Sequence, residues 1–258
     1  MSAGDLTNAD FILDETPVTI ITDGGDTITG TSGDDLSLGG AGDDYIRGEN
    51  GNDTLDGGQG NDTLGGGAGN DLIEGGSGKD RIHGSSGNDT LNGGADNDMI
   101  KGGDGQDLID GGSKNDRLYG GNGDDTVYGE HGNDRLFGGN GNDVLGGGIG
   151  KDQIGGGAGN DVLVGGLGND SLTGGADDDI FVFSDGMHAD TVTDFQTNGD
   201  LLDVSAWGFT DISELGFVQQ GDDVYAQFSA RDSLLLENVD LADLDNSDLI
   251  LTLSLIHI

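Results

Sequence analysis

The sequence predicts an all-β chain: a solenoid of short stacked strands, closed at its C-terminal end by a β-rich cap. Three observations carry this. Glycine fills 55 of 258 positions, about three times its usual share of roughly 7%. A nine-residue phrase, G-G-x-G-x-D-x-U-x with U a large apolar residue, runs through most of the chain without an insertion or deletion. After Asp179 the phrase stops, and aromatic and β-branched residues take over.

Charge narrows the partners. Nine Lys and Arg stand against 50 Asp and Glu, a net charge of -41. Such a balance ordinarily belongs to a disordered, self-repelling chain, but here the acids alternate with Ile, Leu and Val at a fixed period. Nucleic acid and anionic membrane are poor general partners for this surface, and cations are good ones. A single proline excludes collagen and proline-rich linkers. The lack of cysteine excludes disulfides and thiolate metal sites.

Residues 1–20 form an N-terminal lead. Its start, MSAGDLTNADFILDE, has no basic stretch followed by a long apolar run, so export through the general pathway is not expected from it. No apolar run in the chain approaches the length of a membrane span.

Residues 21–183 are the repeat array. Its sixth-position aspartate recurs at Asp26, Asp35, Asp44, Asp53, Asp62, Asp71, Asp80, Asp89, Asp98, Asp107, Asp116, Asp125, Asp134, Asp143, Asp152, Asp161, Asp170 and Asp179, eighteen units in one register. The first-position glycine is unbroken from Gly30 to Gly174, and the eighth position is apolar from Ile28 to Phe181 except at Ser37, which Leu36 and Leu38 flank. Glycines at positions one, two and four open backbone conformations closed to other residues and allow a tight turn. The last three residues, x-U-x, read as a short strand whose middle side chain points inward. Three residues bury no core alone, whereas stacked neighbours do. Two units make one flattened coil, and nine coils at roughly 4.8 Å make a rod on the order of 40 Å long.

Stacking puts carboxylates about one strand spacing apart along each edge, a repulsion of about 1 kcal/mol per pair in water and about 3 to 4 at an effective dielectric of 20. Glycine entropy opposes folding as well, and a thin apolar seam offsets neither. A divalent cation resolves the conflict. Carboxylate and carbonyl oxygens suit Ca²⁺, which takes six to eight of them in flexible geometry, better than the stricter Mg²⁺.

The nonapeptide resembles the RTX, or haemolysin-type, calcium-binding repeat, strongly over Gly30 to Asp179 and weakly over Ile21 to Thr29. The resemblance implies a right-handed parallel β-roll with calcium between stacked turns. It also implies that the aspartates of the series from Asp35 through Asp179 are metal ligands. Non-glycine residues at the fourth position, Asp96, Lys114 and Asp177, depart from the pattern, and Lys114 brings a cation into a cation site.

Residues 184–258 are the expected cap, carrying Phe195, Trp207, Phe209 and Phe217. A solenoid end needs such a cover for its unpaired edge. The run Asp190 to Phe195, then Asp200 to Ser205, resembles the D-T-V-T-D-F and D-x-L-D-x-S elements of C-terminal modules in type I-secreted RTX proteins, including mannuronan epimerase repeat modules. That resemblance implies an extracellular protein exported by the type I apparatus through an uncleaved C-terminal signal. Asp248, Leu249, Ile250 and Leu251 fit an acid followed by apolar residues, whereas the trailing LTLSLIHI departs from it. The same stretch also fits the last strand of the cap.

No catalytic pattern emerges: H-E-x-x-H, G-x-S-x-G with partners and the P-loop lysine motif are all missing, and the four histidines lack metal-ligand spacing. The chain reads as a non-catalytic calcium-binding module, with an accessory module of a secreted protease, lipase or epimerase as the alternative. Alternate units share a face. Positions seven and nine of one face carry Arg47, Arg81, Lys101, Arg117 and Arg135 with Tyr45, Tyr119 and Phe137 and no acid; those of the other carry Asp56, Glu74 and Asp110 and no base. The first face is a candidate surface for an anionic polysaccharide, with Arg47, Arg81, Lys101, Arg117, Tyr119, Arg135 and Phe137 as its contacts. Simple relief of charge on exposed strands is the competing explanation.

Overall fold

The computed structural model describes residues 10–12, 22–184, 186–197 and 199–251. Most of the lead and the tail beyond Leu251, including His257, lie outside them. Each nonapeptide supplies one strand, and successive strands alternate between two sheets of fourteen and twelve strands. Residue n therefore lies beside residue n + 18: Arg81 pairs with Met99, Met99 with Arg117, and Arg117 with Arg135, all in parallel register. A constant 18-residue offset is what an unbroken nine-residue period at two units per coil demands. Twelve strands in one sheet make a rod of roughly 50 Å at the usual inter-strand spacing. Among the described residues no helix is long and apolar enough to cross a membrane.

Most strands of the array are longer than the three residues expected, although Leu108–Asp110 and Thr126–Tyr128 keep that length. Arg81–Ser86 and Thr90–Ala95 span six, running through positions seven, eight, nine, one, two and three. Burial alternates along them, so position one faces inward beside position eight. The seam of eighth-position residues, Ile46, Leu64, Ile100, Leu118, Val127 and Leu145 among them, is fully enclosed. Ser37 sits in that seam at 0% exposure with its Oγ unpartnered, while Leu36 and Leu38 stay half-buried outside it. Pairing of Ser37 with Leu55 shows why: register over the whole coil outweighs one polar residue.

The cap grows from the array rather than docking beside it. Ala189–Val192 adds a parallel strand to the fourteen-stranded sheet and Leu201–Asp203 one to the twelve-stranded sheet. Ser233–Leu236 extends the first sheet, and antiparallel strands Asp223–Gln227 and Val218–Gln220 finish it. Leu249–Ile250 is the final strand of the second sheet, beside Leu202 and Asp203. Phe181, Phe183, Val192, Phe195, Leu202 and Leu234 continue the apolar seam into this region. Trp207 stacks on Phe228 with ring centroids 4.3 Å apart.

Candidate metal-binding edges

The sixth-position aspartates are interior residues, at 0 to 5% exposure from Asp26 through Asp179. They form two ladders, one along each edge where the chain turns between sheets. On one edge the Asp26 N–H donates to Asp44 Oδ1 at 2.7 Å, Asp44 to Asp62, Asp62 to Asp80, and so on to Asp170. On the other, the Asp35 N–H donates to Asp53 Oδ1 at 2.8 Å, and the pattern repeats to Asp179. One carboxylate oxygen of every aspartate after the first on each edge is thereby satisfied. Among the described residues the second, Oδ2, is buried without a hydrogen-bond partner at Asp26 and at every sixth-position aspartate from Asp44 to Asp179. Asp35 differs: its Oδ2 accepts from the Thr31 N–H at 2.6 Å and from Thr31 Oγ at 3.0 Å.

Position-one glycine makes the room for these oxygens. A Cβ on Gly48 would lie 2.1 Å from Asp53 Oδ2 and 2.6 Å from the Gly66 carbonyl oxygen; on Gly57, 2.5 Å from Asp62 Oδ2 and 2.7 Å from the Gly75 carbonyl. None of these first-position glycines needs a positive φ, so the reason for glycine there is space, not backbone freedom as the sequence suggested. Freedom matters at position four. Gly60 has φ +135°, and a Cβ on it would stand 1.9 Å from the Gly42 carbonyl oxygen of the preceding coil. Asp96, Lys114 and Asp177 hold the same turn at φ 79 to 85°, so the backbone survives the departures at a cost of order 1–3 kcal/mol each.

Burial raises the carboxyl pKa values of the ladder aspartates from Asp44 to Asp179; the backbone N–H bond opposes it, and at most of them like charges nearby add to it. Asp44, Asp53 and Asp62 are pushed up to about 6, Asp98 and Asp152 to about 7, and Asp116 to about 8. Exposed Asp43 moves the other way, lowered by hydrogen bonds from the Asn61 backbone and side chain. Unpartnered buried carboxylate oxygens, beside carbonyl oxygens in a space cleared by glycine, are a donor set of the hard oxygen type that calcium takes. Among the described residues no three acidic or histidine side chains converge.

Position five, variable in the nonapeptide phrase, carries further ladders on the outer side of both edges. The Asn70 N–H donates to Asn52 Oδ1, Asn88 to Asn70 and Gln106 to Asn88, each at 2.8 to 2.9 Å on the outer side of the turn. The signal was there: asparagine or aspartate fills position five in most units.

The basic residues do share one face. Arg81, Arg117 and Arg135 stand in one column of the fourteen-stranded sheet; Arg47, His83, Lys101, Tyr119 and Phe137 stand in the next. Tyr119 and Phe137 stack at 5.2 Å, and Lys101 Nζ lies 5.8 Å from the Tyr119 ring centroid. Six-residue strands also bring Glu49 and Asp104 onto this sheet and a second-position acid, Glu130, after the strand of the other. The face is thus less purely basic than positions seven and nine alone implied.

The profile of the RTX calcium-binding nonapeptide repeat matches in overlapping stretches from 20–36 through 155–186. The chain belongs to that family. No curated protein matches it. Among solved structures it is similar to the AlgE6R3 subunit of the Azotobacter vinelandii mannuronan C5-epimerase, at 27% identity over 55% of this chain and 80% of that one (TM-score 0.37). It is similar also to the AlgE6R2 subunit of the same enzyme, at 28% identity over 52% and 92% (TM-score 0.31). A third similarity is to the extracellular lipase LipA from Serratia marcescens, at 21% identity over 88% of this chain and 40% of that one (TM-score 0.33).

Proposed function

We propose that the chain is a non-catalytic calcium-binding module that acquires its fold as it takes up several ions, outside the cell, after export by a type I route. The observation that carries this is the pair of ladders of buried carboxylate oxygens left without a protein partner. Asp44, Asp53, Asp62, Asp71, Asp80, Asp89, Asp98, Asp107, Asp116, Asp125, Asp134, Asp143, Asp152, Asp161, Asp170 and Asp179 would hold the ions, aided by carbonyls of the stacked turns. Bound calcium supplies the positive charge that offsets their desolvation and mutual repulsion. Asp35, expected as a ligand from the resemblance, is left out of this proposed set because its second oxygen already accepts from Thr31. Binding and folding are then one event, which suits a chain that must cross a membrane unfolded. Asp248 to Leu251 remain the candidate export signal, with Leu249–Ile250 serving also as a strand. Far-ultraviolet circular dichroism tests the reading: strand signal should be small in EGTA and rise cooperatively with calcium. Strand content indifferent to calcium would sink it.

A second reading, an accessory module that binds an anionic polysaccharide, is favoured by one observation. Arg117 and Arg135 are direct neighbours in register and, with Arg81, line a groove along the Asp26 edge together with Asn97, Asn115 and Asn133 and the ladder carboxylates Asp80, Asp98 and Asp116, whose charge bound calcium would offset. Adjacent like charges beside amide groups form a place where a repeating anion lowers the energy.

A further inference from the structure

We infer that the metal ladder of the Asp26 edge runs one step past the repeats, and that Asp190, a residue of the cap, is a calcium ligand tying the cap to the array. This rests on the calcium reading above. The matched repeats end at residue 186, yet the Asp170 N–H donates to Asp190 Oδ1 at 2.8 Å across a spacing of 20 residues instead of 18. Asp190 is 2% exposed, and its Oδ2 is buried without a partner, as in the repeats. The geometry of the ladder has outlived the glycine phrase that built it.

The opposite edge provides the contrast. There Asp200 takes the next step, with Oδ1 accepting from the Asp179 N–H at 3.0 Å, but its Oδ2 accepts from the Gln196 N–H at 2.8 Å. The far end of that edge is closed in the same way, by Thr31 on Asp35. One ladder is thus sealed by protein groups at both ends, while on the other the Oδ2 atoms of Asp26 and Asp190 have no partner among the described residues. An oxygen acceptor that the protein leaves unsatisfied on one edge and satisfies at the equivalent place on the other marks where a cation is needed.

The consequence falls on the cap. Asp190 lies in Ala189–Val192, the strand on which Ser233–Leu236 and the antiparallel strands are laid, with Asp190 beside Leu234. Holding its carboxylate fixes that strand, so the cap orders at the calcium concentration that fills this step.

Two measurements on the full chain decide it: the number of calcium ions bound per chain by equilibrium dialysis, and the calcium midpoint of the fluorescence of Trp207, the single tryptophan. Asp190→Asn should bind one ion fewer and shift the midpoint several-fold upward, whereas Asp200→Asn should keep the wild-type count. Asp190→Ser, which retains an acceptor for the Asp170 N–H, carries the same expectation if the asparagine variant fails to reach wild-type strand content at saturating calcium. An unchanged count in the Asp190 variants, or an equal loss in Asp200→Asn, overturns the inference. Wild-type chain that binds no calcium is a different result and removes the reading beneath it.

Discussion

At the scale of single residues, the glycines separate into kinds that the sequence alone runs together. Gly48 has an ordinary φ and is confined by Asp53 Oδ2 and the Gly66 carbonyl, whereas Gly65, at position nine, has nothing within 4 Å of where a Cβ would be. Alanine at the first site pushes against a carboxylate and a backbone oxygen, an overpacking penalty of typically 1–3 kcal/mol. At the second it replaces a strand glycine on an open face and stabilises by roughly 0.5–1 kcal/mol. Thermal unfolding of the calcium-loaded protein should therefore move down in Gly48→Ala and stay level or move up in Gly65→Ala. Equal shifts would show that the space beside Asp53 is not what selects glycine. The sequence displayed both glycines but not this difference, because letters report backbone freedom and not what a side chain would meet.

At the scale of elements, register was legible and strand length was not. A strict nine-residue period already dictates which side chains share a face, and the columns of Arg81, Arg117 and Arg135 and of Lys101, Tyr119 and Phe137 lie as that period requires. Strand length is hidden because glycine at positions one and two reads as turn, yet there it pairs in ladder fashion, Gly103 with Gly121 and Gly121 with Gly139. The longer strands place Glu49 and Asp104 on the basic sheet. What remains basic is the column along the Asp26 edge. Changing Arg81, Arg117 and Arg135 together to Ser should abolish retention of the calcium-loaded protein on a polyuronate matrix at low salt, while the matching change of Asp56, Glu74 and Asp110 to Ser should not. If the wild type is not retained, or the arginine variant is retained equally, these residues serve only to relieve charge.

At the scale of the whole molecule, two rows of buried carboxylates make stability a function of protons as well as of metal. The rows continue into the cap, which the sequence hints at: Asp190-Thr191-Val192 and Asp200-Leu201-Leu202 keep the acid-x-apolar rhythm after the glycines are gone. Irregular spacing of 20 and 21 residues hides them from a search by period. In the metal-free chain the folded-state pKa values are raised above the unfolded value of roughly 3.9, to about 6 at Asp62, about 7 at Asp125 and about 8 at Asp116 and Asp190. The folded state then binds more protons than the unfolded state between about pH 4 and pH 8, so stability is fully present below that window and is lost as pH rises through it. Calcium inverts the trend, because it binds the deprotonated carboxylates and displaces those protons. Without calcium, strand signal should be larger near pH 5 than near pH 8; with calcium, the midpoint concentration should fall as pH rises across the same range. Repulsion among exposed acids favours low pH too, but 1 M salt screens it to within about 3 Å and leaves buried groups largely untouched. A pH dependence that persists at 1 M salt therefore belongs to the ladders, and one that vanishes there belongs to the surface.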